Sequence, residues 1–155
     1  MTSVRSRRPA RDLLVLEDFL PYRLSILSNR VSRAIAQRYA DAFDLTIPEW
    51  RVIAVLGRRP GLTAKEIAEA TDMDKVAISR AVSRLVAAKR VAARADPDDA
   101  RRQPLELTAA GAAVHAQIAP VALECERRLL ATLGARDKQT LDALLDRLLE
   151  TAKTL

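Results

Sequence analysis

The stretch "LTAKEIAEATDMDKVAISRAVSRLVAAK", residues 62–89, contains two helix starts close together. Thr63 followed three residues later by Glu66 has the spacing of a capping box, in which each side chain satisfies a free amide at the other's position. Asp74 is a second N-cap, and it opens a helix from Lys75 to about Lys89. The connection at Asp72–Met73 is very short. Two short helices joined by so brief a turn predict a helix-turn-helix. On the second helix Ile78, Ala81, Val82 and Leu85 cluster on one side at about 100° per residue and form the buried face. Lys75, Val76, Ser79, Arg80 and Ser83 cluster opposite, with Arg84 at the margin.

Short hydroxyls and a valine flanked by cations suit the major groove of DNA, because small side chains let a helix approach base edges and arginine pairs with guanine or phosphate. Any amphipathic helix has a polar face, so periodicity alone leaves an ordinary solvated surface open. The neighbouring elements favour DNA. "RVAARA" (90–95) and "PLELT" (104–108) alternate like two strands of a hairpin, and the acidic and basic loop "DPDDARRQ" joins them.

Upstream, a helix is expected from about Phe19 to Phe43, with Leu20, Leu24, Leu27, Val31, Ile35 and Ala42 on one stripe and Pro21 in its first turn. Thr46 and Glu49 form another capping box, and the helix they open stops at "GRRPG", residues 57–61. Downstream, Thr108 caps a helix that runs to about Leu133, with a kink expected at Pro120 and a stop at Gly134. In the last helix Leu141, Leu144, Leu145, Leu148 and Leu149 fall at i, i+3, i+4, i+7 and i+8. The expected fold is mainly α with a small β-hairpin wing. Residues 46–107 would be a winged helix-turn-helix DNA-binding domain, residues 12–45 and 108–155 a helical dimerisation region, and residues 1–11 a disordered basic arm. The terminal helices carry more apolar surface than the middle can cover, which points to a symmetric dimer.

Charge and composition agree. The chain has 155 residues and a net charge of +6, and only 3% of its residues are aromatic. Residues 1–11 carry four arginines and no acid, residues 46–107 have twelve basic and nine acidic groups, and residues 108–155 balance at six and six. Such asymmetry suits an anionic polymer, nucleic acid or lipid. No long uncharged apolar run offers a membrane span, and the basic N-terminus lacks the apolar stretch of a secretory signal. A single cysteine fits a reducing compartment, so the expected location is cytoplasmic.

The residues from "LTAKEIAEATDMDK" through "DPDDARRQPLELTAAG" resemble the MarR family of bacterial winged-helix regulators. The family's wing pattern falls on Asp99, Arg101, Leu107, Thr108 and Gly111, and the likeness spans about residues 19–150. Pro104 departs from it, standing where the family usually has a residue that can donate to the ladder. The resemblance implies a homodimer on a pseudo-palindromic operator, with recognition helices in successive major grooves. Each wing would reach the adjacent minor groove, with Arg101 at the tip braced by Asp99, and with Arg94 and Arg102 on phosphates. Most members repress transcription, and many release DNA on binding a small aromatic or phenolic ligand between the DNA-reading lobe and the dimerising helices. For such an effector, Arg38 falls on the apolar stripe of the first helix with Ser28 beside it, and Tyr39 and Trp50 could supply flat walls. Arg38 pairing across the dimer seam, with Trp50 as plain core, is the alternative.

Rival readings are weaker. His115, the only histidine, is expected to face solvent, which leaves neither a His-rich metal site nor a Ser-His-Asp arrangement. Cys125 shares a stripe with Val114, Ile118 and Val121 and is expected to be buried and inert, with a redox-sensing regulator as the alternative. A proline interrupts the aspartates near residue 98, the turn glycine of a calcium loop does not follow them, and two arginines would repel a cation. An enzyme is therefore not expected, and no cofactor or metal is. A membrane-surface or adaptor role would rest on the basic arm alone, which has no apolar anchor.

Overall fold

The computed structural model describes residues 13–99 and 101–155. The expected basic arm at residues 1–11 lies outside them. A 3-10 turn at Leu16–Asp18 leads into α1 (Leu20–Phe43), followed by α2 (Ile47–Arg58), α3 (Ala64–Thr71) and α4 (Lys75–Ala87). Strands β1 (Val91–Ala93) and β2 (Leu105–Leu107) form the hairpin, and α5 (Ala109–Leu129) and α6 (Ala135–Ala152) complete the chain. This is the mainly helical fold with a small β-hairpin that the residue pattern predicts.

Local chemistry sets the helix starts. Both capping boxes form: the Glu49 carboxylate accepts from the Thr46 amide at 2.7 Å, and that of Glu66 from the Thr63 amide at 2.7 Å. Asp74 Oδ1 accepts from the Ala77 amide at 2.9 Å, and Thr108 Oγ1 from the Gly111 amide at 3.1 Å. Each such cap stabilises its helix by about 1 kcal/mol. The turn between α3 and α4 depends on Asp72, whose φ of 50° is left-handed, a conformation that a short polar side chain tolerates.

Two helix ends differ from expectation. Helix α4 stops at Ala87 rather than near Lys89, because Lys89 turns left-handed at φ 56° and the Arg90 amide folds back to the Leu85 carbonyl at 2.9 Å. Helix α5 ends at Leu129 and tightens into a 3-10 turn over Leu130–Thr132. Gly134 does not stop that helix. It is the extended N-cap of α6, with φ −70°.

Strand β1 pairs antiparallel with β2 in the register Val91↔Leu107, Ala92↔Glu106 and Ala93↔Leu105. The outer edge of β2 is also used: Gly61 donates to the Leu105 carbonyl at 2.8 Å and Leu105 donates to the Leu62 carbonyl at 2.9 Å. Gly61 makes this bridge at φ +89°, which side chains with a Cβ rarely adopt. The register also accounts for Pro104. Arg94 donates to the Pro104 carbonyl at 2.8 Å, and the return bond would need the N–H that proline lacks. The ladder therefore ends there and leaves a wing tip held by other means.

The core lies under the helix-turn-helix. Val52 and Ile53 of α2, Ile67 of α3, Ile78 and Leu85 of α4, Val91, Leu105 and Ile118 are all buried. The face of α4 expected to be buried is so, with Val82 at its half-buried edge. Helix α6 has no buried residue, and Leu144, Leu148 and Leu149 are 47%, 46% and 66% exposed. Leu20, Leu24 and Leu27 at the start of α1 are likewise exposed. The terminal helices thus present apolar rows that a single chain leaves uncovered.

On α5, Glu124 takes Arg127 and Arg128 together, at 2.6 Å and 2.7 Å. These hydrogen bonds, that from Arg127 foremost, hold its carboxyl at about 2 instead of the ordinary 4.5. A depressed carboxyl stabilises the fold above its unfolded value, and the contribution is lost as pH falls through the folded one. Melting curves between pH 5 and pH 2 should show Glu124→Gln less stable than the parent at the upper end and equal to it at the lower. A constant difference across that window would contradict the pairing. The exposure of the group makes the effect small.

Candidate nucleic-acid interface

Lys75, Val76, Ser79, Arg80, Ser83 and Arg84 are all exposed along α4. Ser83 Oγ donates to the Ser79 carbonyl at 3.0 Å, which folds one hydroxyl onto the helix and keeps the middle of the face low. Beside this face runs an open groove of about 450 Å³, lined by Lys65 of α3, Ser79 and Ser83 of α4, and Arg101 to Gln103 of the wing. The candidate helix and the candidate wing therefore bound one concave, cation-bearing surface. Residues of α3 and of the wing, far apart in sequence, both reach it because β2 is tied at Leu62 to the turn before α3.

The wing arginines are not equivalent. Arg94 Nε pairs with Glu106 across the hairpin. Arg102 is spread between Asp96, 3.2 Å away, and Glu66, 3.3 Å away. Arg101 is exposed and makes no ion pair among the described residues. The brace from Asp99 is real but acts elsewhere than expected. Asp99 Oδ1 accepts from the backbone amide of Arg101 at 2.9 Å and does not hold its guanidinium. Asp96 is more than a turn residue. Its Oδ1 accepts from the amides of Asp98 and Asp99 at 2.9 Å and 3.3 Å, while its Oδ2 takes Arg102.

Those bonds hold both carboxyls low: the Asp98 amide first and then Arg102 depress Asp96, and the Thr63 amide first depresses Glu66. Since both values fall, the contacts are complete above the ordinary carboxylate range and loosen only as pH drops below it.

Arg84 also has an intramolecular partner. Its Nε lies 3.0 Å from Oε1 of Glu49, a carboxylate only 3% exposed. Nearby, Arg90 donates to the Phe43 carbonyl at 2.8 Å, tying the end of α4 to the end of α1. Glu49 and Glu66 were legible as capping residues, but nothing local signals that an arginine from another element takes up the remaining oxygen of each.

The candidate effector residues separate into two groups. Tyr39 is 1% exposed, and burial pushes its hydroxyl pKa up. Its ring centroid lies 6.0 Å from that of Trp50, and Trp50 stacks in turn on His115 at 6.1 Å. His115 is therefore half-buried against α2 rather than facing solvent, and it crowds Gly57, where an added Cβ would lie 2.8 Å from the imidazole. Ser28 and Arg38 are exposed in the single chain and do not face the aromatic group. The cause is helical geometry: Tyr39, one residue on, turns about 100° away from Arg38 and takes the inward position. Cys125 is half-buried, not buried.

A winged helix-turn-helix with its exposed helix and its wing on one surface defines a class, that of transcriptional regulators. Comparison with known proteins narrows it. Residues 43–102 match the MarR family. The chain is 29% identical over 131 residues to the HTH-type transcriptional repressor Rv2887 of Mycobacterium tuberculosis, covering 84% of this chain and 91% of that one. It is 30% identical to a probable transcriptional regulator from Pseudomonas aeruginosa, with a TM-score of 0.74 and coverage of 86% and 99%. The fold is also that of MepR from S. aureus, solved in complex with DNA, at 22% identity, a TM-score of 0.77 and coverage of 88% and 98%. The chain belongs to the MarR family of transcriptional regulators. No helix among the described residues is long and apolar enough to cross a membrane.

Proposed function

We propose that this regulator binds a pseudo-palindromic operator as a homodimer, represses transcription from it in the cytoplasm, and releases it when a small aromatic or phenolic ligand binds. The observation that carries this reading is the groove shared by α4 and the wing, which Arg101 and the small hydroxyl residues Ser79 and Ser83 line together. Residues 46–107 form the DNA-reading unit. Within it Lys75, Val76, Ser79, Arg80 and Ser83 meet the major groove and Arg101 the minor groove. Arg84 and Arg94 stand at the edges, where their acidic partners limit what they add. Residues 12–45 and 108–155 form the dimer, which covers the exposed leucine rows of α1 and α6. MepR, a structural relative, is seen on DNA. Footprinting of the protein's own promoter region tests the reading. The expected result is a protected segment with two-fold symmetry and half-sites about one helical turn apart. Protection of a single unsymmetrical site would contradict the dimer.

The wing supplies a second test. Asp99→Ala removes a negative charge beside DNA, yet it also frees the Arg101 backbone. Binding measured by anisotropy should therefore weaken by about tenfold, a loss of about 1.4 kcal/mol. Tighter binding would reduce Asp99 to a turn residue.

For the effector, an apolar cleft of about 370 Å³ lies between α1 and α5, lined by Val31, Ile35 and Leu123. On α1, Ser28 and Arg38 flank Val31 and Ile35 at helical spacing, so a second copy closing over this face would enclose both. Arg38 then pairs with the carboxylate of an aromatic acid, while Tyr39 and Trp50 back the site from the core. Arg38→Ala should bind operator normally and lose release by an aromatic carboxylate such as benzoate derivatives. Unchanged release in that variant would dispose of the site.

A further inference from the structure

We propose that Arg102 is a positioning residue, a latch that fastens the wing tip to α3, and not a phosphate contact. The inference rests on the DNA-binding reading above and assigns a role within that same surface. Both terminal nitrogens of the guanidinium are engaged. Nη1 donates to Asp96 Oδ2 at 3.2 Å, and Nη2 reaches Glu66 Oε1 at 3.3 Å, Glu66 Oε2 at 3.4 Å and the Gly61 carbonyl at 3.5 Å. The three anchors belong to the start of the wing loop, the first turn of α3 and the turn that precedes it. Among the described residues Arg102 makes the only side-chain hydrogen bonds and ion pair between the wing loop before Pro104 and α3.

Charge decides against a phosphate seat. One guanidinium lies between two carboxylates, so the cluster is net negative where a phosphate would need net positive charge. Arg101, next in sequence, makes no ion pair among the described residues and carries the free cation. The two neighbours thus divide the work: Arg101 reaches out, and Arg102 holds the loop from which it reaches. The need for a latch follows from Pro104. Its missing N–H ends the β1–β2 ladder, so the described loop residues 95–99 and 101–103 have no cross-strand backbone hydrogen bond to hold them. Glu66 is suited to the task because it is already fixed. Its Oε2 accepts from the Thr63 amide at 2.7 Å and from Thr63 Oγ1 at 3.0 Å, which leaves Oε1 pointing at Arg102 from a rigid helix start.

The test combines two measurements on the full chain. Operator affinity is measured across a salt series for Arg102→Gln, Glu66→Gln and the double variant. Glutamine at 66 keeps the capping box, so the α3 start survives. Amide exchange of residues 94–105 is measured in the same proteins without DNA. The latch predicts that each single variant weakens binding by roughly tenfold and that the double is no weaker than either single, as expected for coupled partners. The slope of log affinity against log salt stays at the parental value, and wing exchange accelerates. Loss of a phosphate contact would instead lower that slope by about one unit, and removing the acid at Glu66 would tighten binding; either result overturns the proposal. So would unchanged wing exchange. A parent protein with no salt-dependent operator binding would sink the DNA reading, and the exchange arm would still judge the latch alone.

Discussion

Gly111→Ala is expected to destabilise the fold by at least about 3 kcal/mol, beyond the common range for overpacking. Gly111 is buried on the first turn of α5, and a Cβ there would lie 1.9 Å from the carbonyl oxygen of Arg90. That oxygen cannot retreat freely, because it accepts the Thr108 amide at 3.1 Å and sits where α4 hands over to β1. The obstacle is backbone on both sides, so no rotamer change relieves it. Either α5 lifts off the hairpin or the hairpin shifts off α4. In a chain of this size the melting temperature should fall by roughly 6–12 °C, read by calorimetry. A variant melting within a degree or two of the parent would show that the approach of α5 to Arg90 is looser than described. The close contact also gives a physical reason for glycine three residues after the Leu-Thr pair: only a residue without Cβ lets the cap at Thr108 and the end of α4 meet.

The second large effect concerns binding. Ser79→Glu places a carboxylate in the middle of the exposed face of α4. Glutamate is at least as good a helix former as serine, and the site is solvated, so stability should change by less than about 0.5 kcal/mol. Affinity is another matter. The variant loses a short side chain that permits close approach and sets a negative charge against DNA. In the proposed dimer it does so twice. With base contacts worth about 1–3 kcal/mol each, operator affinity should fall by a hundredfold or more. Retention of parental affinity would mean that α4 does not enter the groove, whatever the wing does.

The parts of this molecule that were legible in the sequence are those set by neighbours a few residues apart. Thr46–Glu49, Thr63–Glu66 and Asp74 announce their helices because a cap is a local bargain between a side chain and an amide three positions on. The hairpin and the buried face of α4 follow from period and turn chemistry in the same way. What was not legible depends on distance. Arg102 meets Glu66 across 36 positions and Arg84 meets Glu49 across 35, and no spacing rule foretells either pair. His115 looked solvated on α5 until α2 brought Trp50 against it. Gly134 could as well close one helix as open the next, and its φ of −70° decides for opening. Arg38 fell on a stripe by sevens, yet Tyr39 beside it takes the inward place. Arg94, Asp96 and Arg102 of the wing therefore have partners that only the fold assembles.

The central claim is that α4 and the wing form one DNA-reading surface, presented twice by a dimer. The most direct measurement is equilibrium binding of the full chain to an inverted-repeat duplex from its own promoter, against a scrambled duplex, over a series of salt concentrations. Two chains should bind each duplex, the repeat should be preferred, and affinity should fall steeply with salt as several phosphate contacts are lost. Equal binding to both duplexes, or affinity indifferent to salt, would contradict the claim.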